Sequence, residues 1–191
     1  MVYTVKNYYK LTLIEQQSFL SFLCKAFAET SQPAHNNMNN DTLLHILDNT
    51  DRFKNGRFNV LFDDKKVIAC SGCYVSNFSS DILICGSRTW VGKEHRNKQI
   101  PREILLPAEK QYAIDNHIKC IALTFNEYNK NIINLWFRKR LGEERSPRAS
   151  LHFGYNGVNV VSHMVTIQHT KQYVIYEVLD PSFTFDWKTI Q

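Results

Sequence analysis

Between Ile82 and Gly142 the chain switches repeatedly between two hydrophobic periods, and this succession constrains its fold more than any other feature. Ile82 to Val91 is an apolar, strand-forming run, and Gly92 to Lys98 is a polar loop. Ile100, Ile104, Leu105, Ala108, Tyr112 and Ala113 then recur at helical spacing to about Asn116, before Ile118 to Phe125 returns to a short apolar strand. A polar connection at Asn126 to Lys130 and a helix over Ile132 to Leu141, which Gly142 can end, complete the segment. Parallel neighbouring strands need a crossover of about this length. The two strands are therefore expected to run parallel and diverge, with the long helix crossing between them. Pro101 suits the first turn of that helix, whereas Pro107 deletes a hydrogen bond and is expected to kink it.

The flanks agree with a single α/β domain over residues 1–191, a mixed and twisted central sheet flanked by helices. Leu11 to Ala28 carries Leu13, Ile14, Phe19, Leu20, Phe22, Leu23 and Phe27 at helical spacing. After an Asn-rich loop with Pro33, Asp41 or Thr42 can cap a short second helix. Phe58 to Phe62 and Val67 to Val75 read as a hairpin around the polar turn Asp63-Asp64-Lys65-Lys66, and Val158 to Thr166 and Tyr173 to Val178 as two closing strands. Met1 to Lys10 is too polar for a membrane anchor, and no apolar run approaches the roughly 20 residues that span a bilayer. The five cysteines are odd in number and no signal-peptide layout precedes them, so they are expected to be reduced thiols in the cytoplasm.

A formal charge of +5 points to anionic ligands only where the cations converge. They do so twice, at Lys93, Arg96, Lys98 and Arg102 and again from Arg138 to Arg148. Beside the second cluster stand Trp136, Phe137, Phe153 and Tyr155, a composition that also suits nucleic acid, since bases stack on aromatics while cations neutralise phosphates. Cys70 and Cys73 have redox or zinc spacing but fall inside a strand with no second pair, which reads as core packing. His152, His163 and His169 are too loosely spaced to argue for a metal.

The order of strand, basic loop, long helix, strand, Asn-bearing loop, helix and Leu141-Gly142 resembles the GNAT acetyltransferases. The resemblance covers about the middle third to half of the chain. It implies acetyl-CoA, or another acyl-CoA, as cofactor and an amine as acceptor. The cofactor would lie along the strand end Trp90-Val91 and on the loop containing Arg96, Lys98, Gln99, Ile100 and Arg102, whose backbone amides and helix N-terminus would face the pyrophosphate. Asn129 or Asn131, according to register, takes the place of the family's Asn, and Glu127 and Tyr128 are the candidates for moving protons. The family has small residues where this chain has Gln99 and Pro101, and a tyrosine where it has Trp136 or Arg138. Two alternatives follow from the same resemblance: a binding protein that kept the fold without the chemistry, and an enzyme that modifies nucleic-acid bases, as some phage-encoded relatives do.

Overall fold

A computed structural model of the chain describes residues 3–29, 55–77, 79–126, 158–165 and 171–185. The second helix expected near Asp41 and the helix expected over Ile132 to Leu141 lie outside the described residues. The strands are β1 (Tyr3–Asn7), β2 (Gly56–Asp63), β3 (Lys66–Val75), β4 (Ile82–Val91), β5 (Cys120–Asn126), β6 (Val158–Val165) and β7 (Lys171–Val178), with helices α1 (Leu13–Ala28) and α2 (Leu106–Asp115). They form a seven-stranded sheet in the order β1-β2-β3-β4-β5-β7-β6. The chain divides into two compact units, Met1–Tyr74 with Gly86–Tyr112 and Val75–Cys85 with Ala113–Gln191, so β4 contributes to both.

In the first unit β1 pairs antiparallel with β2, and β2 with β3. Residues directly opposite in such ladders face the same side of the sheet. One side carries Phe58, Val60, Phe62 and Cys70, which pack against Phe19, Leu20 and Leu23 of α1. The other carries Leu61 and Ala69 against Ile100 and Leu105, with Val5 and Val91 at the margin. The register slips between Leu61 and Phe62, leaving Ile68 as an extra residue in β3. Such a bulge turns two consecutive side chains towards the same layer, and Ile68 joins Ala69 in the second cluster. α1 begins with a capping box: Glu15 N–H donates to Thr12 Oγ1 (3.3 Å) and Thr12 N–H donates to Glu15 Oε2 (2.9 Å).

In the second unit Ile82–Cys85 of β4 pairs in parallel with Cys120–Leu123 of β5, as the crossover required. β5 then pairs antiparallel with β7, and β7 with β6. Ile82, Leu83, Ile121 and Ala122 are fully buried, consistent with strands covered on both faces and apolar without alternation. The helix that ends at Asp115 stops in a Schellman motif, in which Ile118 N–H reaches Ala113 O (2.9 Å) and His117 N–H reaches Ile114 O (3.1 Å). His117 takes the left-handed conformation, φ 57°, that a glycine more often supplies.

The structure adds three details. The hairpin turn narrows to Asp64-Lys65, with Asp64 at φ 54°, because the ladder extends to Asp63↔Lys66. Tyr3–Asn7 is a strand that hydrophobic pattern did not reveal. Pro107, expected to kink its helix, lies in α2 directly after a π-helical turn, Pro101–Leu105, in which Leu106 N–H reaches back to Pro101 O. That wider turn shifts the hydrogen-bond pattern just before a residue that has no N–H to offer. No helix among the described residues is long and apolar enough to cross a membrane.

Candidate functional site

β4 is regular up to Cys85, where its parallel ladder with β5 ends, and irregular immediately after. Gly86 (φ 71°) and Arg88 (φ 54°) both adopt left-handed conformations, which glycine tolerates freely and arginine does not. Side chains pin this left-handed stretch. Thr89 Oγ1 donates to Gly86 O (2.8 Å), and Gly86 N–H donates to Glu109 Oε2 (2.9 Å). Ser71 Oγ lies 2.6 Å from Glu109 Oε1 and 2.7 Å from Thr89 Oγ1.

Local structure explains why these groups meet. Ser71 is opposite Asn59, on the side of the sheet that holds Leu61 and Ala69, and Leu105, Glu109 and Tyr112 follow at spacings of four and three along the helix. Glu109 is therefore a fully buried carboxyl on an otherwise apolar stripe. Its neighbour Cys73 is a buried thiol pushed well above its usual pKa by desolvation.

Beyond β4, a short 3-10 turn at Lys93–His95 leads into the basic loop. Gly92 N–H donates to Ile68 O (2.8 Å), and a Cβ at Gly92 would meet that oxygen at 3.2 Å, so the close approach favours glycine. His95 is buried, and its Nδ1 has no partner among the described residues. Arg96 Nε donates to Val91 O (3.2 Å), and its guanidinium pairs with Glu29. Glu94 pairs with Lys66 (3.0 Å), which holds its carboxyl below the usual range. Asn97 (φ 67°) and Gln99 (φ 55°) are left-handed, and Glu103 N–H donates to Gln99 O (2.9 Å) as the helix starts. No side chain caps that start.

Of the residues expected to hold a cofactor, Arg96, Lys98, Gln99 and Arg102 are exposed together on this loop and the first helical turn. Arg102 also pairs with Glu103 (2.8 Å). Ile100, only 1% exposed, and Val91 belong to the core beneath the helix, so they can offer a ligand only backbone groups. Trp90 packs against the cluster on the α1 side. Glu127, Tyr128, Asn129 and Asn131 lie outside the described residues. Sequence reasoning missed Glu109, Ser71 and Thr89. A signal was present, because Glu109 falls in phase with Leu105 on the buried stripe, where a carboxylate is out of place without partners.

The arrangement suits a phosphate. Unpaired N–H groups at a helix start carry partial positive charge, and Lys98 and Arg102 add full charges beside them.

No family model matches the chain, and no curated protein matches it by sequence. Solved structures do. A GNAT-family acetyltransferase from Staphylococcus aureus Mu50 superposes with a TM-score of 0.57 at 12% identity, covering 94% of this chain and 100% of that one. yncA from Salmonella typhimurium, solved with its cofactor acetyl-CoA, gives a TM-score of 0.62 at 12% identity and covers 98% and 99%. Ribosomal-protein-alanine N-acetyltransferase from Brucella melitensis gives 0.62 at 11% identity and covers 92% and 99%. Identities this low establish shape and not activity, and the shape is clear: this chain has the fold of the GNAT acetyltransferases.

Proposed function

We propose that the protein is an acyltransferase that uses acyl-CoA, with an amine as acceptor. The observation that carries the reading is the basic loop on an uncapped helix start, directly after a β4 with two left-handed residues, in a chain with the fold of acetyltransferases. The residues fit a pyrophosphate: Gln99 already has the left-handed backbone that a small residue would adopt there, and Lys98 and Arg102 are exposed cations. Acyl-CoA, when bound, supplies an activated thioester.

The chain's own residues then have distinct tasks. Lys98 and Arg102, with the amides of the first helical turn, hold the phosphates. Arg96, tied to Val91 O and Glu29, shapes the loop more than it offers free charge. Glu127 is the candidate to take the amine's proton and Tyr128 the candidate to return one to sulfur, since a carboxylate and a phenol can each exchange a proton.

Calorimetric titration of the folded protein with CoA tests the reading. The double reversal Lys98→Glu, Arg102→Glu is expected to weaken binding at least about tenfold, the scale of one or two lost charge-assisted contacts. A folded wild type with no detectable binding at high ligand concentration rejects it.

A further inference from the structure

The contacts around Glu109 need one more hydrogen than the neighbouring hydroxyls can supply. Three oxygen–oxygen contacts run in series: Glu109 Oε1 to Ser71 Oγ (2.6 Å), Ser71 Oγ to Thr89 Oγ1 (2.7 Å), and Thr89 Oγ1 to Gly86 O (2.8 Å). All have the length of O–H···O bonds, and each requires one hydrogen between its oxygens. The two hydroxyls bring one each and the carbonyl brings none. With Glu109 ionised, three contacts share two hydrogens and one buried pair of oxygens is left bare. With Glu109 protonated the count closes. Its O–H donates to Ser71, Ser71 donates to Thr89, Thr89 donates to Gly86 O, and Glu109 Oε2 still accepts from Gly86 N–H (2.9 Å).

We propose that Glu109 is held as a neutral carboxylic acid near neutral pH and is a positioning residue for the left-handed stretch of β4 at Gly86. Gly86 is bonded at both its N–H and its carbonyl by this series, so the proton that completes the series also completes the support of this left-handed residue. The surroundings favour the neutral form, because Glu109 is fully buried and desolvation penalises its charge. Burial raises Cys73 on β3 and Tyr112 on the same helix, and a negative charge on Glu109 would raise Cys73 further, so ionisation of one of these groups disfavours ionisation of the next. Among the described residues, Arg57 of β2 is a cation whose charge acts in this layer, on Cys73 and Tyr112, whereas Arg88 of β4 acts on Cys70, on the α1 side of the sheet. Arg57 opposes the proton, and burial with the hydrogen-bond series retains it.

Glu109→Gln is the discriminating variant, because its amide can donate to Ser71 and accept from Gly86 N–H in the same pattern. In neutral buffer, the infrared difference between wild type and variant should contain a protonated-carboxyl stretch that shifts in heavy water. Its absence overturns the proposal. Stability as a function of pH gives an independent reading. Above the unfolded-chain glutamate pKa of about 4.3, the folded protein retains a proton that the unfolded chain releases, so stability falls as pH rises. The folded-to-unfolded ratio of wild type should therefore drop against that of Glu109→Gln by about tenfold per pH unit. Parallel pH curves also overturn it. Should the variant not fold, carbon-13 NMR of wild-type glutamate carboxyls decides the matter: one carboxyl still protonated at neutral pH supports the proposal, and ordinary titration of all of them rejects it. None of these measurements involves CoA, so their failure is distinct from failure of the acyltransferase reading.

Discussion

At Gln99 backbone conformation and residue type disagree. A φ of 55° crowds the Cβ of any L-residue, and glycine alone adopts it without steric cost. Gln99→Gly is therefore expected to stabilise the fold by about 0.5–1 kcal/mol after glycine's added unfolded-state entropy is subtracted, measured as a rise in Tm. Gln99→Val should lower Tm, since branching at Cβ aggravates the same clash. The sequence made this position legible only through resemblance, which marked Gln99 as standing where a small residue belongs. Glu109 was not legible in the same way. Its role depends on Ser71, 38 residues away in sequence, and on Thr89, which is itself 18 residues from Ser71, and no local pattern joins such positions.

At the scale of elements, the strands and helices that carry long apolar runs were readable. α1, the β2–β3 hairpin, β4 and the parallel pairing with β5 follow from period and from the crossover rule. β1 was not, because Tyr3–Asn7 is short, half-buried and polar at alternate positions, and it becomes a strand by pairing with β2. The start of α1 rests on local chemistry. Thr12→Ala removes one half of the capping box and should cost about 1 kcal/mol in urea unfolding. Glu15 is held below the ordinary carboxylate range, first by its hydrogen bond from Lys6 and then by the Thr12 amide. A carboxyl depressed in the native state stabilises above its unfolded pKa, and that contribution disappears as pH falls through the native value. The stability gap between wild type and Lys6→Ala is accordingly expected to be widest above about pH 5 and to narrow on acidification.

Across the whole molecule, the five cysteines report on opening. All are free thiols: Cys70, Cys73, Cys85 and Cys120 are buried and Cys24 is partly exposed. Burial pushes Cys120 up to about 12 and raises Cys24 as well, so little reactive thiolate exists in the native state. Ellman's reagent at neutral pH should modify Cys24 slowly and leave the other four until the protein unfolds, so that their release tracks global opening. Rapid native labelling of more than one thiol contradicts this. The division of β4 has a further consequence, for the order of events on the ribosome. Ile82–Cys85 finds its parallel partner only when Leu123 has been made, 38 residues after Cys85. At ordinary synthesis rates that is a wait of roughly 2–8 s, during which a nascent chain carries an apolar strand with one edge unpaired.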